Sequence, residues 1–389
     1  MKAVICENKA LRVDTLPDPK PERGQAVLKV LRCGICGSDL HMRTHCDHMS
    51  ALAKRVGYPF FPTSNDPVVF GHEFCGEVME HGPRTNKKIK VGTRVCAVPM
   101  IRLKDRVDLT GLSPTAPGAY AEYVAVQAAM MEPIPNGLSS EVAALTEPMA
   151  VGLHAVNKSD IKKGDVAIVV GCGPVGLAVI AMLKARGVRT VIASDFSAGR
   201  RALAKQSGAD MVVNPSDNSP FADWKDYGFI GELPQLLELG VGTREKIDAV
   251  PKWWHAWRLA EAAGLGPKRP VVFECVGVPG VLNHLMEGAP FMTRIVVVGV
   301  CMEADRIEPA LAINKEIELR FVLGYTPLEY RDALHLLAEG KVAAKHLITG
   351  QVGLSGVANA FDALANPEKH AKILINPSDT LLGDKIAVM

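Results

Sequence analysis

The sequence predicts an α/β protein in two parts, a β-rich antiparallel unit and a doubly wound parallel sheet. Three observations lead there. At 389 residues the chain is too long for one ordinary core and suits two. Its first ~150 residues carry short strand-like runs broken by Gly and Pro. From about Ile161 onward the texture changes to strands and helices in turn.

In order, "QAVLKVLRC", "DPVVFGHEFCGEV", "GTRVCAVPM" and "GAYAEYVAV" alternate between turn signals, the pattern of an antiparallel, barrel-like unit. "DVAIVVGCG" then reads as a buried strand, "PVGLAVIAMLKARG" as a helix, "RTVIASD" as a strand and "SAGRRALAKQSGAD" as a helix. After an interruption, "PVVFECVG" and "RIVVVGV" complete the βαβ rhythm of a parallel sheet. The C-terminal part supplies helices from "TPLEYRDALHLLAEGKV" onward and the strand "HAKILI", expected to return to the first unit. The expected division is 1–153 completed by 325–389, with 154–324 as the parallel-sheet unit.

The interruption, about 216–268, is long where a connection of roughly 2 to 6 loop residues around one helix is usual. It holds all four tryptophans: Trp224, Trp253, Trp254 and Trp257. Helical spacing places Trp253, Trp257 and Ala260 on one face. Such an insertion either buries its own aromatics or serves as a lid or subunit contact.

Bulk properties exclude several classes. Apolar residues make up 48% and charged residues 22%, with a net charge of +2, so nothing points to nucleic acid or a membrane surface. Nine scattered cysteines, an odd number, are unlike a disulfide framework. "MKAVICENKA" meets charge at its second residue and is not expected to be a signal peptide. Residues 166–183 run 18 positions without a charge, near the lower limit for a membrane span. Gly171, Gly173, Pro174 and Gly176 cluster in the middle of that run, which favours strand, turn and helix. A cytoplasmic protein is expected.

"VVGCGPVG" gives G-x-G-x-x-G at Gly171, Gly173 and Gly176, after an apolar strand and at the opening of a helix. In that context the first Gly makes the turn, the second admits a pyrophosphate and the third packs helix on strand. The helix N-terminus offers its free N–H groups to the anion. Asp195, ending the next strand, suits a ribose 2′-hydroxyl and repels a 2′-phosphate, so NAD is expected over NADP. Asp195 as a plain helix cap is the alternative, and Arg200 and Arg201 follow closely.

"LRCGICGSDLHMRTHCDHMS" packs Cys33, Cys36, His41, His45, Cys46 and His48 into one stretch. A closed structural zinc site, a redox thiol pair, or one ligand of an open catalytic metal would each draw on such residues. His72, Glu73 and Glu147 lie further along.

"GICGSDLH", "GHEFCGEV", "GAYAEYV", "EPMAVGLHA" and "GCGPVG", in this order, resemble the zinc-containing medium-chain dehydrogenase/reductase superfamily, the alcohol and sorbitol dehydrogenase relatives. The resemblance runs from "MKAVIC" to "HAKILINP". It implies a GroES-like catalytic domain that resumes after a Rossmann-type NAD domain. It implies a catalytic zinc on Cys36 and His72, the third position open between Glu73 and Glu147, the other carboxylate holding the water. Asp39 would orient the imidazole, and Ser38 and His41 would relay the substrate proton to solvent. Val298, Val300 and Tyr325 would line the nicotinamide, and Cys275 and Val276 the adenosine side. Pro174, Val175 and Arg200 join the glycines at the cofactor.

Cys33 has no ligand role in this resemblance, and His45, Cys46 and His48 have no counterpart. Residues 97–117, where many relatives carry four zinc-binding cysteines, contain none, so one zinc per chain is expected. The implied activity is reversible hydride transfer between a secondary alcohol or polyol and NAD. A bound-NAD aldehyde dismutase and a zinc-free quinone or enoyl reductase are the alternatives, the latter disfavoured by Cys36, His72 and Glu147. A small-molecule substrate and a homo-oligomer, dimer or tetramer, complete the expectation.

Overall fold

Alternating strands and helices between Val166 and Phe321 build a six-stranded parallel sheet in the computed structural model of the chain. The structure describes residues 1–104, 106–135, 137–366 and 368–389. The strand order is Met211–Val213, Thr190–Ser194, Val166–Val170, Val271–Glu274, Arg294–Val297, Glu318–Phe321. The chain therefore starts in the middle, builds outward one way and then the other, which opens a crevice at the carboxyl end of Val166–Val170. Register aligns Val170 with both Ser194 and Glu274, so Gly171, Asp195 and Cys275 emerge side by side. The charge-free run is strand Val166–Val170 plus helix Pro174–Ala185, whose Leu177–Leu183 segment is buried in the core. Among the described residues, no helix is long and apolar enough to cross a membrane.

The antiparallel sheet centres on Gln25–Gly34, which pairs with Glu73–His81, Tyr123–Gln127 and Lys372–Ile375. "HAKILI" thus returns to the first unit, as expected. Its register brings Leu374 and Glu73 to the two sides of Gly34. Helix Gly37–Arg55 leaves directly from this strand, with Cys36 as its N-cap, and departs from helical geometry at His45. His41, His45, Cys46 and His48 all ride on it.

The lobe without cysteines is a hairpin, Met100–Leu103 against Arg106–Leu109. It closes on the fully buried Asp108, which accepts hydrogen bonds from Arg106, Ser113 and Thr115.

Helix Thr146–Lys158 packs on Pro174–Ala185 and on Pro327–Ala338, joining the two sheets. At that joint Glu329 accepts from His154 Nδ1 at 2.8 Å, Asn157 Nδ2 at 2.7 Å and Thr326 N at 2.8 Å. Burial alone would raise the Glu329 pKa, but these donors hold it down to about 2.

The long insertion divides in two. Phe221 and Phe229, with Trp224 and Tyr227, seal the sheet over Ile168, Ile192 and Val272. Helices Leu233–Lys246 and Trp253–Ala262 then stand off it, with no buried residue in either. Trp253, Trp257 and Ala260 do form the half-buried face. The Trp253 and Trp257 rings meet edge-on at 6.1 Å, and the Arg244 guanidinium lies 4.5 Å from the Trp253 ring. The insertion thus covers part of its aromatic surface with itself, while Trp254 stays 44% exposed.

Candidate active site

Cys36 follows the central antiparallel strand, and His72 immediately precedes the strand paired with it, which Glu73 begins, so the fold brings two distant segments together. The ligand atoms of Cys36, His72 and Glu73 all lie within 4.8 Å of one another. His45, Cys46 and His48 do not join them. Cys46 Sγ instead donates to the Pro62 carbonyl at 3.3 Å, tying the helix to the segment after it.

Each charge in this pocket has a partner. Lys372, 2% exposed and on the returning strand, donates to both Glu73 oxygens at 2.8 and 2.7 Å. Burial opposes the Lys372 charge, and the Glu73 carboxylate outweighs it and raises the pKa. His72 Nε2 lies 3.1 Å from Ser38 Oγ, and His72 Nδ1 faces Asp39 Oδ1 at 3.3 Å. Burial disfavours the imidazolium, but Asp39 and Cys36 push its pKa well above the usual. Burial likewise raises the Cys36 thiol, against the pull of His72.

Glu147, at the start of helix Thr146–Lys158, stands outside the three-ligand group and lies beside Tyr325. Burial raises its pKa to about 7, with His72 opposing and Glu73 adding to the rise. His41 lies one helical turn beyond Ser38, half-buried, its ring 6.4 Å from that of His45. Burial and His45 lower its pKa.

The second half of the site is the glycine turn. Gly171 has φ +90°, and a Cβ there would stand 2.7 Å from Val276, so the turn requires glycine. A side chain at Gly176 would collide with the Gly171 carbonyl, the close helix–strand approach read from the motif. Gly173 is open: the nearest atom to a Cβ there is Arg200 Nη1, at 3.9 Å. Pro174 and Val175 open the following helix, and Gly173 is its N-cap.

Asp195 is not the cap of the next helix. Ser197 has that place, accepting from Arg200 N at 3.1 Å. Asp195 instead accepts from Cys172 N at 2.7 Å and Ser197 N at 2.8 Å, which holds it against the glycine turn. Cys275 and Val276 border the same turn, and Gly277 brings that loop against Val300. Val298 is buried there and Val300 is 53% exposed.

Two regions of the chain match known family models: residues 22–136 the alcohol dehydrogenase GroES-like domain, and residues 174–339 the zinc-binding dehydrogenase. The (R,R)-butanediol dehydrogenase of Bacillus subtilis is 32% identical over 97% of this chain and 100% of its own length. The chain belongs to the zinc-containing alcohol and sorbitol dehydrogenase family. This dehydrogenase is an oxidoreductase that uses zinc and a nicotinamide cofactor, as the resemblance implied. A sorbitol dehydrogenase of Bacillus subtilis is 27% identical over 97% of the chain and 98% of its own. Among solved structures, 2R,3R-butanediol dehydrogenase from Bacillus subtilis superposes with a TM-score of 0.73 at 31% identity, covering 97% and 99% of the two chains. A protein of Sinorhizobium meliloti 1021 bound to NADP gives 0.73 at 27% identity, over the same shares.

Two site residues of the dehydrogenase escaped the sequence reading. Lys372 sits in "HAKILI", where alternation alone does not tell a buried lysine from a solvated one. Tyr120 sits in "GAYAEYV" and reaches Asp39 with its hydroxyl. The signal for it was indirect: a buried acid such as Asp39 needs donors of its own.

Proposed function

We propose that this chain oxidises a secondary alcohol or polyol reversibly, with NAD as hydride acceptor, at one zinc ion held by Cys36, His72 and Glu73. The convergence of those three ligand atoms within 4.8 Å carries the reading. Thiolate, imidazole and carboxylate suit a borderline-soft cation. With His72 Nδ1 turned to Asp39, Nε2 is the nitrogen left for it. When bound, zinc supplies a Lewis acid that lowers the pKa of an alcohol hydroxyl.

The remaining work belongs to the chain. Ser38 Oγ accepts the hydroxyl proton and passes it toward His41 and solvent. Lys372 keeps Glu73 in line. Glu147, beside Tyr325, holds or releases a proton near neutral pH. The open face of Gly173 admits the pyrophosphate, with Arg200 beside it, and Asp195 takes the ribose hydroxyls in preference to a 2′-phosphate. Val298, Val300 and Tyr325 border the nicotinamide, and Cys275 and Val276 the adenosine. The names of the butanediol and sorbitol dehydrogenases support the substrate class.

The wider reading has its own support. A single zinc suits a lobe closed by Asp108 in place of cysteines. A division at 153/154 and 324/325 suits a parallel sheet lying wholly between those points. Assembly as a homo-oligomer suits the edge strand Glu318–Phe321, where Phe321 is 72% exposed and Leu323, just beyond it, 89%. A cytoplasmic setting suits nine free thiols.

The test is cofactor reduction followed by absorbance, with NAD⁺ or NADP⁺ and a panel of 2,3-butanediol, sorbitol and aromatic alcohols. Turnover with NAD⁺ on the diols, lost with a chelator and in Cys36→Ser, is the expected result. Silence across the panel from zinc-loaded protein rejects the substrate class.

A further inference from the structure

We infer that Tyr120 is a positioning residue for the metal centre: its hydroxyl fixes Asp39, and Asp39 fixes the His72 imidazole. The inference rests on the zinc reading above. Tyr120 is fully buried and precedes the Tyr123–Gln127 strand. Its hydroxyl donates to Asp39 Oδ2 at 2.7 Å, and the Cys36 N–H donates to the same oxygen at 3.0 Å. Oδ1 is left facing His72 Nδ1 at 3.3 Å, and neither atom has a hydrogen-bond partner elsewhere among the described residues.

A carboxylate presented in this way accepts the Nδ1 proton. Nε2, on the side of Ser38, then keeps its lone pair for a metal. The tautomer of His72 is thereby set from behind, by a phenol that never touches the ion.

The ring cannot swing away. A Cβ on Gly71, the residue before His72, would stand 2.5 Å from Tyr120 Cδ1. Phe70 and Phe361 meet the ring edge-on at 6.4 and 6.2 Å. In so apolar a setting phenylalanine would fill the same space, so packing does not call for the hydroxyl. Burial and the Asp39 charge also keep the phenol protonated, hence a donor, by pushing its pKa well up. Loss of that donor leaves Oδ2 with the Cys36 N–H alone and frees the carboxylate to rotate off His72. Partners of this kind are worth roughly 10- to 100-fold in metal affinity.

The experiment uses the full chain stripped of metal and titrated with Co²⁺, with a competing chelator to fix the dissociation constant and visible absorption to report ligand geometry. Tyr120→Phe is compared with wild type and with Tyr330→Phe, which removes another buried hydroxyl, donated to the Ala97 carbonyl at 3.1 Å. The expected result is a cobalt dissociation constant about tenfold higher for Tyr120→Phe, with altered d–d bands, and wild-type behaviour for Tyr330→Phe. Wild-type affinity and bands in Tyr120→Phe overturn the inference. So does an equal loss in Tyr330→Phe, which assigns the effect to general loosening. If Tyr120→Phe does not fold, 3-fluorotyrosine at the same position keeps ring and hydroxyl while changing donor strength. Shifted d–d bands then support the role, and unchanged ones overturn it. A wild-type chain that takes up no cobalt removes the zinc reading itself, and this inference with it.

Discussion

The Cys36–His72–Glu73 pocket and the tryptophan-rich insertion are built on opposite terms. In the pocket, Asp39 and Glu73 are fully buried and Lys372 nearly so, each held by a named partner at hydrogen-bond distance. In the insertion, helices Leu233–Lys246 and Trp253–Ala262 bury nothing completely and leave Leu237 61% and Leu259 72% exposed. A buried charge is costly unless paired, so removing one partner strands the other. An exposed leucine strands nobody. The difference predicts where this fold is brittle.

The largest effect is expected at Lys372. Lys372→Met leaves Glu73 buried without its cation and should destabilise the metal-free chain by about 3–5 kcal/mol, measured by urea unfolding. The double variant with Glu73→Gln should recover most of that loss; no recovery would show that the pair is not the source. Next comes Asp195, which is pinned in the same manner. Asp195→Ser should lower NAD⁺ over NADP⁺ preference, as the ratio of kcat/KM, by about 10- to 100-fold, the worth of a hydrogen bond to a charged group.

Glu329 gives a smaller, pH-dependent effect. Its pKa is held to about 2 against an ordinary 4.5, so its stabilisation is full above pH 4.5 and fades as pH falls toward 2. The stability gap between wild type and Glu329→Gln should therefore close over that window; a constant gap would contradict the hydrogen-bond cause. The smallest effect belongs to the insertion: Leu237→Ser should shift stability by no more than about 0.5 kcal/mol. A larger loss on dilution-sensitive melting would mean that a partner surface covers the helix.

Legibility in the sequence follows the same divide. The parallel sheet was legible because strands buried on both faces leave short unbroken apolar runs between turn residues and helices, and the glycine turn because backbone sterics allow no other residue at Gly171 or Gly176. Cys36 and His72 were legible as residue types suited to a metal, in a recognisable order, and the fold does bring them together with Glu73. The arrangement around them was not. Lys372 and Glu73 stand 299 positions apart, and no local period signals that one strand will lay its lysine beside the other's carboxylate. The Glu73 and Glu147 alternatives differ by what each lies against, Lys372 or Tyr325, which is tertiary information. Helix Leu233–Lys246 left no buried face, so its spacing carried no signal above that of a polar connection.

Helix Thr146–Lys158 has one more consequence, a mechanical one. Its first turn carries Glu147 beside the Cys36, His72 and Glu73 group, and its last carbonyl, on Lys158, receives Arg320 from the outermost strand of the parallel sheet at 2.7 Å. Between them, His154 and Asn157 are clamped to Glu329. Thirteen residues make a rod about 20 Å long, anchored at both ends and bolted in the middle. A displacement of the parallel sheet at Lys158 would be transmitted along that rod to the Glu147 carboxylate at its near end.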